Sequence, residues 1–287
     1  MITAKVGIIG GTGFDEMTDF RNKTEIEMNT PFGPPSSKIT VGELSGVSVA
    51  LLLRHGKGHS ILPSEINFQA NIFAFKKLGV EAILSVSAVG SLKEEIKPLN
   101  IVLPDQFFDR TRNRASTFFG NGIVAHVNFS DPFCASLRKT VYDVCTELEL
   151  EGVDGGTYVC IEGPHFSTRA ESNTYRKLGF DIIGMTNLPE AKLAREAEIC
   201  YCTIALVTDY DCWHEKYNEV DIEMVFENLM KNSENAKKII RNSILKIPEK
   251  RNCSCSKALE SAIITTKDLI QDSLKEKLKP IIGKYVK

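Results

Sequence analysis

Short apolar runs that stop at glycines or polar clusters alternate along this chain with stretches whose apolar residues recur every three to four positions. Residues 5–9 (KVGII) form an apolar run that delivers into glycines, the pattern of a buried strand ending in a tight turn. Residues 39–41 and 47–53 (VSVALLL) predict an antiparallel pair around 43–46, the second strand ending at Arg54-His55-Gly56. Residues 63–78 place Ile66, Ala70, Phe73, Ala74 and Leu78 on one helical stripe, and Gly79 closes it as a C-cap. A strand at 80–86 then ends at Ser87-Ala88-Val89-Gly90-Ser91, and 101–103 reads as another before Pro104. A helix is expected over 132–150 with Asp131 as its N-cap. Strand 157–161 ends at Glu162-Gly163-Pro164, helix 172–178 is stopped by Gly179, and strand 181–184 ends at Met185-Thr186-Asn187. Helix 189–197, a strand at 201–207 (YCTIALV) ending at Thr208–Asp211, and amphipathic helices at 222–245 and 266–282 complete the reading.

Strands alternating with helices define an α/β class. The 287 residues permit one large domain or two ordinary ones. With no Pro/Gly/Ser-rich linker, repeat or low-complexity tract, a single domain over 1–287 is the simpler expectation. The composition, 43% hydrophobic and 25% charged, is that of a globular protein. A formal net charge of −2 supplies no basic face for nucleic acid or an anionic membrane. The N-terminus lacks the regions of a signal peptide and no apolar run spans a bilayer, so the expected location is the cytoplasm.

In α/β folds ligands collect beyond the C-terminal ends of the strands. Six polar clusters stand at strand ends here: 10–13, 54–56, 87–91, 162–167, 185–187 and 208–211. Gly10-Gly11-Thr12-Gly13 can form an anion nest of backbone N–H groups with the Thr12 hydroxyl as a further donor, or serve only as a tight turn. It has neither the dinucleotide GxGxxG spacing nor the Gly-Lys-Ser/Thr of a Walker loop. Arg54 adds a guanidinium fork suited to bidentate phosphate contact, although a lone Arg at a strand end is more usually a salt-bridge partner, and His55 adds an imidazole. Ser87, the Ala88 backbone N–H and the Thr186 hydroxyl can complete the shell of a small anion. Too much positive charge would quench phosphate as a nucleophile, so one cation among neutral donors is a reasonable set.

Asp209 and Asp211 share one face of an extended segment. Surroundings poor in His and Glu argue against a metal there. The pair can instead read a base edge: a carboxylate accepts from the adenine 6-amino group, and a protonated one donates to N7, making the base a leaving group. Burial or the second carboxylate would raise the donor's pKa. The eight cysteines are scattered and read mainly as buried reduced thiols. Cys253-Ser254-Cys255 stands apart as a polar pair. Its spacing is tighter than zinc usually takes and no second pair is evident in sequence, which leaves a strained local disulfide as its alternative.

Taken together, GGTG (10–13), RHG (54–56), SAVGS (87–91), EGPHFSTRAES (162–172), GMTNLPEAKLARE (184–196) and VTDYDCW (207–213) resemble the S-methyl-5'-thioadenosine phosphorylases of the trimeric purine nucleoside phosphorylase family. The motifs run in family order over about 5–225. The resemblance implies a central mixed β-sheet flanked by helices. It implies a phosphate site at Thr12, Arg54, His55, Ser87, Ala88 and Thr186, and base and ribose contacts from Phe166, Ser167 and Met185. Asp209 would face N7 and the 6-amino group with Asp211 assisting, and Ile222 and Val225 would form an apolar wall around the 5'-methylthio group. His126 would reach into a neighbouring subunit's pocket, implying a homotrimer or a dimer of trimers. No metal or organic cofactor is implied; inorganic phosphate is a co-substrate.

Two positions bear on substrate. Members acting on 6-oxopurines carry Asn where this chain has Asp209, and an amide can donate to O6 where a carboxylate would repel it. They carry Glu where Ser167 stands, to accept from an N1–H that adenine lacks. Departures from the family pattern are Ser87 for a common Thr, Asn187 for the Thr of animal members, and a CxC resembling archaeal and bacterial members, some of which also accept adenosine and inosine.

Overall fold

Eleven strands form one mixed sheet in the computed structural model, which describes residues 2–11, 13–14, 19–214 and 222–286, with the Ile222 side chain outside the description. Strand β1 (Val6–Gly10) is buried at every residue because it lies between β4 (Val47–Leu53) and β5 (Ala82–Ser91), parallel to both. A strand covered on both faces needs a continuous apolar run, which is what residues 5–9 display. Strand β3 (Ile39–Leu44) turns into β4 through Ser45 and Gly46, both at positive φ (52° and 82°), as a two-residue hairpin requires.

The other strands are β2 (Arg21–Ile26), β6 (Ile101–Leu103), β7 (Gln106–Arg110), β8 (Gly152–Asp154), β9 (Thr157–Ile161), β10 (Ile182–Gly184) and β11 (Cys200–Asp209). The sheet forks at β5. On one side β11 runs parallel to it for its whole length. On the other side β1 pairs only as far as Ser85, and antiparallel β10 begins at Gly90. Residues 86–89 therefore have no strand partner on that side, and the gap opens a cavity in the middle of the sheet.

Helices α1 (Phe68–Lys77), α4 (Glu190–Glu196) and α6 (Asp272–Ile282) cover one apolar cluster; α2 (Ala135–Glu147) and α5 (Ile222–Lys246) cover the other. The alternation of β11 divides between them: Tyr201, Ala205 and Val207 face the first, and Cys200, Cys202, Ile204 and Leu206 the second. Helix α3 (Arg169–Lys177) lies beside β9 and β10 over a third, smaller cluster. No helix among the described residues is long and apolar enough to cross a membrane.

The expected α/β fold with a mixed sheet is present. The departures are local. Asp131 does not cap α2; the helix begins at Ala135 behind Cys134, which makes no side-chain cap bond. Helix α1 begins at Phe68 rather than 63, because the Asn67 side chain accepts from the Ala70 N–H. Helix α3 begins at Arg169, three residues before the expected start, because Thr168 and Glu171 form a reciprocal capping box. The last helix begins at Asp272, with only a 3-10 turn at Lys267–Leu269 before it. Strands β2, β7 and β8 carried no sequence signal. β2 is a polar, exposed edge strand (RNKTEI), and edge strands are kept charged because their backbone groups face water.

Candidate active site

The fork in the sheet opens into a cavity of about 650 Å3. It is lined chiefly by Gly10 and Gly11; Leu53–Gly56, Gly58 and His59; Val86–Gly90; Phe166 and Ser167; Ile183–Thr186; Thr208, Asp209 and Asp211; and Val225, Phe226 and Leu229 of α5. All six expected strand-end clusters thus converge on one space. Of the expected site residues, Arg54, His55, Ser87, Ala88, Phe166, Ser167, Met185, Thr186, Asp209, Asp211 and Val225 line it. Thr12 and the Ile222 side chain lie outside the described residues. His126 is exposed and does not line the cavity of its own chain; its backbone N–H donates to the Ala262 carbonyl.

At one end sits Arg54, 1% exposed. Its backbone N–H donates to the Gly10 carbonyl (2.9 Å), tying the two loops together. Its guanidinium is largely committed within the protein. Nε–H and Nη2–H donate to the two carboxylate oxygens of Glu190 (2.9 and 3.1 Å), Nη2–H also to Ser85 Oγ (2.6 Å), and Nη1–H to the Val86 carbonyl (2.8 Å). Four of the five N–H groups are spent, so the expected bidentate fork toward phosphate is not free; a single Nη1–H remains. Burial works to lower the Arg54 pKa, but the Glu190 carboxylate outweighs it and the net direction is upward, so the group stays charged.

His55 Nδ1 lies 2.9 Å from the Ile61 carbonyl, which only accepts, so Nδ1 carries the proton. Burial, helped by the Arg54 charge, pushes the imidazole down to about 4, so at neutral pH it is uncharged with Nε2 as an acceptor. Its ring stacks on His59 at 4.1 Å. Ser87 Oγ bonds Thr186 Oγ1 (3.1 Å) and Tyr158 Oη (3.2 Å). This end therefore offers one cation and several neutral groups.

At the other end, a β-bulge between Val207 and Asp209 re-aims the end of β11. Helix α5 holds the bulge: Asn232 Nδ2 donates to the Val207 carbonyl (3.0 Å) and Asn228 Nδ2 to the Thr208 carbonyl (2.8 Å). Asp209 is fixed by both oxygens, one accepting from Thr208 Oγ1 and one from the Asp211 backbone N–H, each at 2.7 Å. Its pKa is raised by burial. Asp211 adopts a left-handed backbone (φ 53°), and burial pushes its carboxyl up to about 6. Asp211 Oδ2 and Ser167 Oγ are both buried polar atoms at the cavity. Only glycine fits at position 90, because a Cβ there would meet Asp209 Oδ1 at 2.9 Å.

The sequence reading missed a layer behind these residues. Glu190, fully buried, accepts from Arg54, Ser85 Oγ (2.6 Å) and Tyr201 Oη (2.7 Å). Asn187 Nδ2 donates to Ser85 Oγ (3.1 Å) and Tyr201 Oη (2.7 Å), bridging both hydroxyls. Glu190 stood within a quoted motif, but no role was assigned to it there. Asn228 and Asn232 left a faint signal, two amides four apart on one helical face. Phe226, Leu229 and His59 were also missed as cavity lining.

A family model described as the phosphorylase superfamily matches residues 5–245. The S-methyl-5'-thioadenosine phosphorylase of Koribacter versatilis is 56% identical over 282 residues, covering 98% of this chain and 97% of the relative. That of Geobacter sulfurreducens is 54% identical over 282 residues, covering 98% and 99%. The chain belongs to the S-methyl-5'-thioadenosine phosphorylase family, within that superfamily. Among solved members of the family, a methylthioadenosine phosphorylase from an antarctic soil metagenomic library superimposes with a TM-score of 0.93 at 47% identity, covering 98% of this chain and 99% of the other. A mutant adenosine/methylthioadenosine phosphorylase from Schistosoma mansoni, solved in complex with methylthioadenosine, matches with a TM-score of 0.84 at 36% identity, covering 94% and 100%.

Proposed function

We propose that this chain is a pentosyltransferase that phosphorolyses S-methyl-5'-thioadenosine to adenine and 5-methylthio-D-ribose 1-phosphate. The observation that carries the reading is the single cavity joining an anion end to a buried aspartate pair. Strand β5 forms its floor, and at about 3.3 Å per residue Ser87 and Gly90 stand about 10 Å apart, the span of a nucleoside. The names of the relatives and the methylthioadenosine bound in the Schistosoma enzyme support the same substrate.

Phosphate would sit between the remaining Arg54 Nη1–H, the Ser87 and Thr186 hydroxyls and the Ala88 N–H. Neutral His55 Nε2 suits the P–OH of a monoprotonated phosphate. The phosphate oxygen forms the bond to ribose C1' as the C1'–N9 bond breaks, and the electron pair of that bond passes into the purine. Charge builds on the ribose as in glycoside hydrolysis, and the anion below C1' stabilises it. Asp209 and Asp211, their carboxyls raised by burial, hold the proton that N7 takes up. Ser167 and Phe166 contact base and ribose, and Met185 packs against them. Val225, Phe226 and Leu229 take the methylthio group, which gains from apolar burial where a 5'-hydroxyl would find no partner; the family resemblance adds Ile222 to this wall.

The reaction draws on phosphate alone, with no metal or organic cofactor in the chemistry. The family resemblance supports a cytoplasmic homotrimer or dimer of trimers in which exposed His126 reaches a neighbour's cavity. The decisive assay is adenine release from methylthioadenosine with and without phosphate, compared with inosine. Release without phosphate, or equal turnover of inosine, overturns the proposal; the latter would favour a broader purine nucleoside phosphorylase.

A further inference from the structure

Far from the cavity, four cysteines that the sequence scatters over more than a hundred residues meet at one point. The Sγ atoms of Cys134, Cys200, Cys253 and Cys255 all lie within 4.8 Å of one another. They come from three places: the residue preceding α2, the first residue of β11, and the loop after α5. Cys253 has an extended backbone and Cys255 sits in the 3-10 turn that follows, which brings both thiols of the tight pair to the same side. Cys134, Cys200 and Cys255 are buried in an apolar cluster and Cys253 is half-buried. The other four cysteines stand outside the group.

We propose that this cluster is a tetrathiolate site for one zinc ion. Tetrahedral zinc at about 2.3 Å from each sulfur sets the sulfurs about 3.8 Å apart, within the observed spread. The set contains no oxygen ligand, and soft thiolates select zinc over magnesium or calcium. Binding exchanges four thiol protons for one Zn2+, with no change in oxidation state, and leaves the site with two negative charges. Arg251 lines the small cleft that reaches Cys134, Cys200 and Cys253 from the surface, providing an entry path and a nearby cation.

Four protein ligands close the coordination shell, so the ion has no open position and no part in phosphorolysis. Its place is structural. It staples the chain after α5 to the start of β11 and to α2, beside the bonds that Arg251 and Leu259 N–H make to Glu198. That C-terminal segment runs on to bridge Ala125 through Ile263, next to His126. The second pair that the CxC lacked in sequence is supplied by Cys134 and Cys200.

The test is the metal content of the purified full-length enzyme, expressed in zinc-supplemented medium and kept under reducing conditions. One zinc per chain is expected by elemental mass spectrometry, retained in Cys145→Ser and lost in Cys134→Ser and Cys255→Ser. Should those variants fail to fold, cobalt exchange into the wild type decides: the visible bands of tetrahedral thiolate-bound cobalt are expected. Chelation under denaturing-assisted exchange should lower the Tm by at least about 5 °C while leaving activity at 25 °C intact. A metal-free wild type, a different metal in place of zinc, or an intact mass four units low from two disulfides overturns the proposal.

Discussion

Replacing Glu190 with Gln removes the charge that balances Arg54 while keeping the side-chain shape. The two groups are 0% and 1% exposed, and Glu190 accepts two of the four guanidinium bonds. Leaving a buried guanidinium without its counter-charge costs about 3–5 kcal/mol. Against a total stability of about 5–15 kcal/mol that is a large share. At about 2–4 °C per kcal/mol for a chain of this size, the Tm should fall by roughly 6–20 °C. Two controls separate charge from packing. Arg54→Met/Glu190→Gln removes both charges, and its Tm should lie above that of Glu190→Gln alone. Phosphate, if it binds beside Arg54, should raise the Tm of Glu190→Gln more than that of the wild type, because the anion replaces part of the lost charge. The assay is differential scanning calorimetry in a non-phosphate buffer with and without added phosphate. A Glu190→Gln Tm within about 2 °C of wild type would refute the reasoning, since Arg54 would then need no buried partner.

Asp209→Asn and Asp211→Asn should each slow adenine release by about 10^2–10^4-fold with the fold intact, the range of general-acid contributions; unchanged kcat in both would remove the aspartates from the chemistry. Gly90→Ala drives a Cβ to 2.9 Å from Asp209 Oδ1, so kcat/KM for methylthioadenosine should drop at least about 10-fold while the KM for phosphate holds; equal losses on both would point to general damage. Glu196, buried under Thr117 Oγ1 and the Phe118 N–H, has its carboxyl pushed up to about 7 by burial from an ordinary 4.5. The folded state therefore holds that proton longer than the unfolded chain does, and this stabilisation, about 3 kcal/mol, is present below about pH 4.5 and lost as pH rises through 7. Urea midpoints from pH 5 to 8 should decline accordingly, and a Glu196→Gln profile just as steep would show that another group titrates.

Much of the architecture was legible because strands buried on both sides need unbroken apolar runs, and helices covering them need a stripe of period 3.6. Residues 5–9, 47–53 and 201–207 announced three central strands in that way. Local polar chemistry was also legible: the clusters at 54–56, 87–91, 185–187 and 208–211 stood at strand ends, where α/β folds collect ligands. Edge strand β2 and the short β7 and β8 left no such trace, because exposed or three-residue strands impose little on composition.

What only the tertiary structure decided are relations between residues distant in sequence. Arg54 could serve phosphate or a salt bridge until Glu190, 136 positions away, was found to accept two of its N–H groups. The aim of Asp209 depends on a bulge held by Asn228 and Asn232 of another element. Cys253 and Cys255 looked like an isolated pair until the fold set Cys134 and Cys200 beside them. Sequence pattern records what a residue needs from its local backbone and from water; which buried partner satisfies its charge or its hydrogen bonds is fixed only when long-range packing brings that partner within reach.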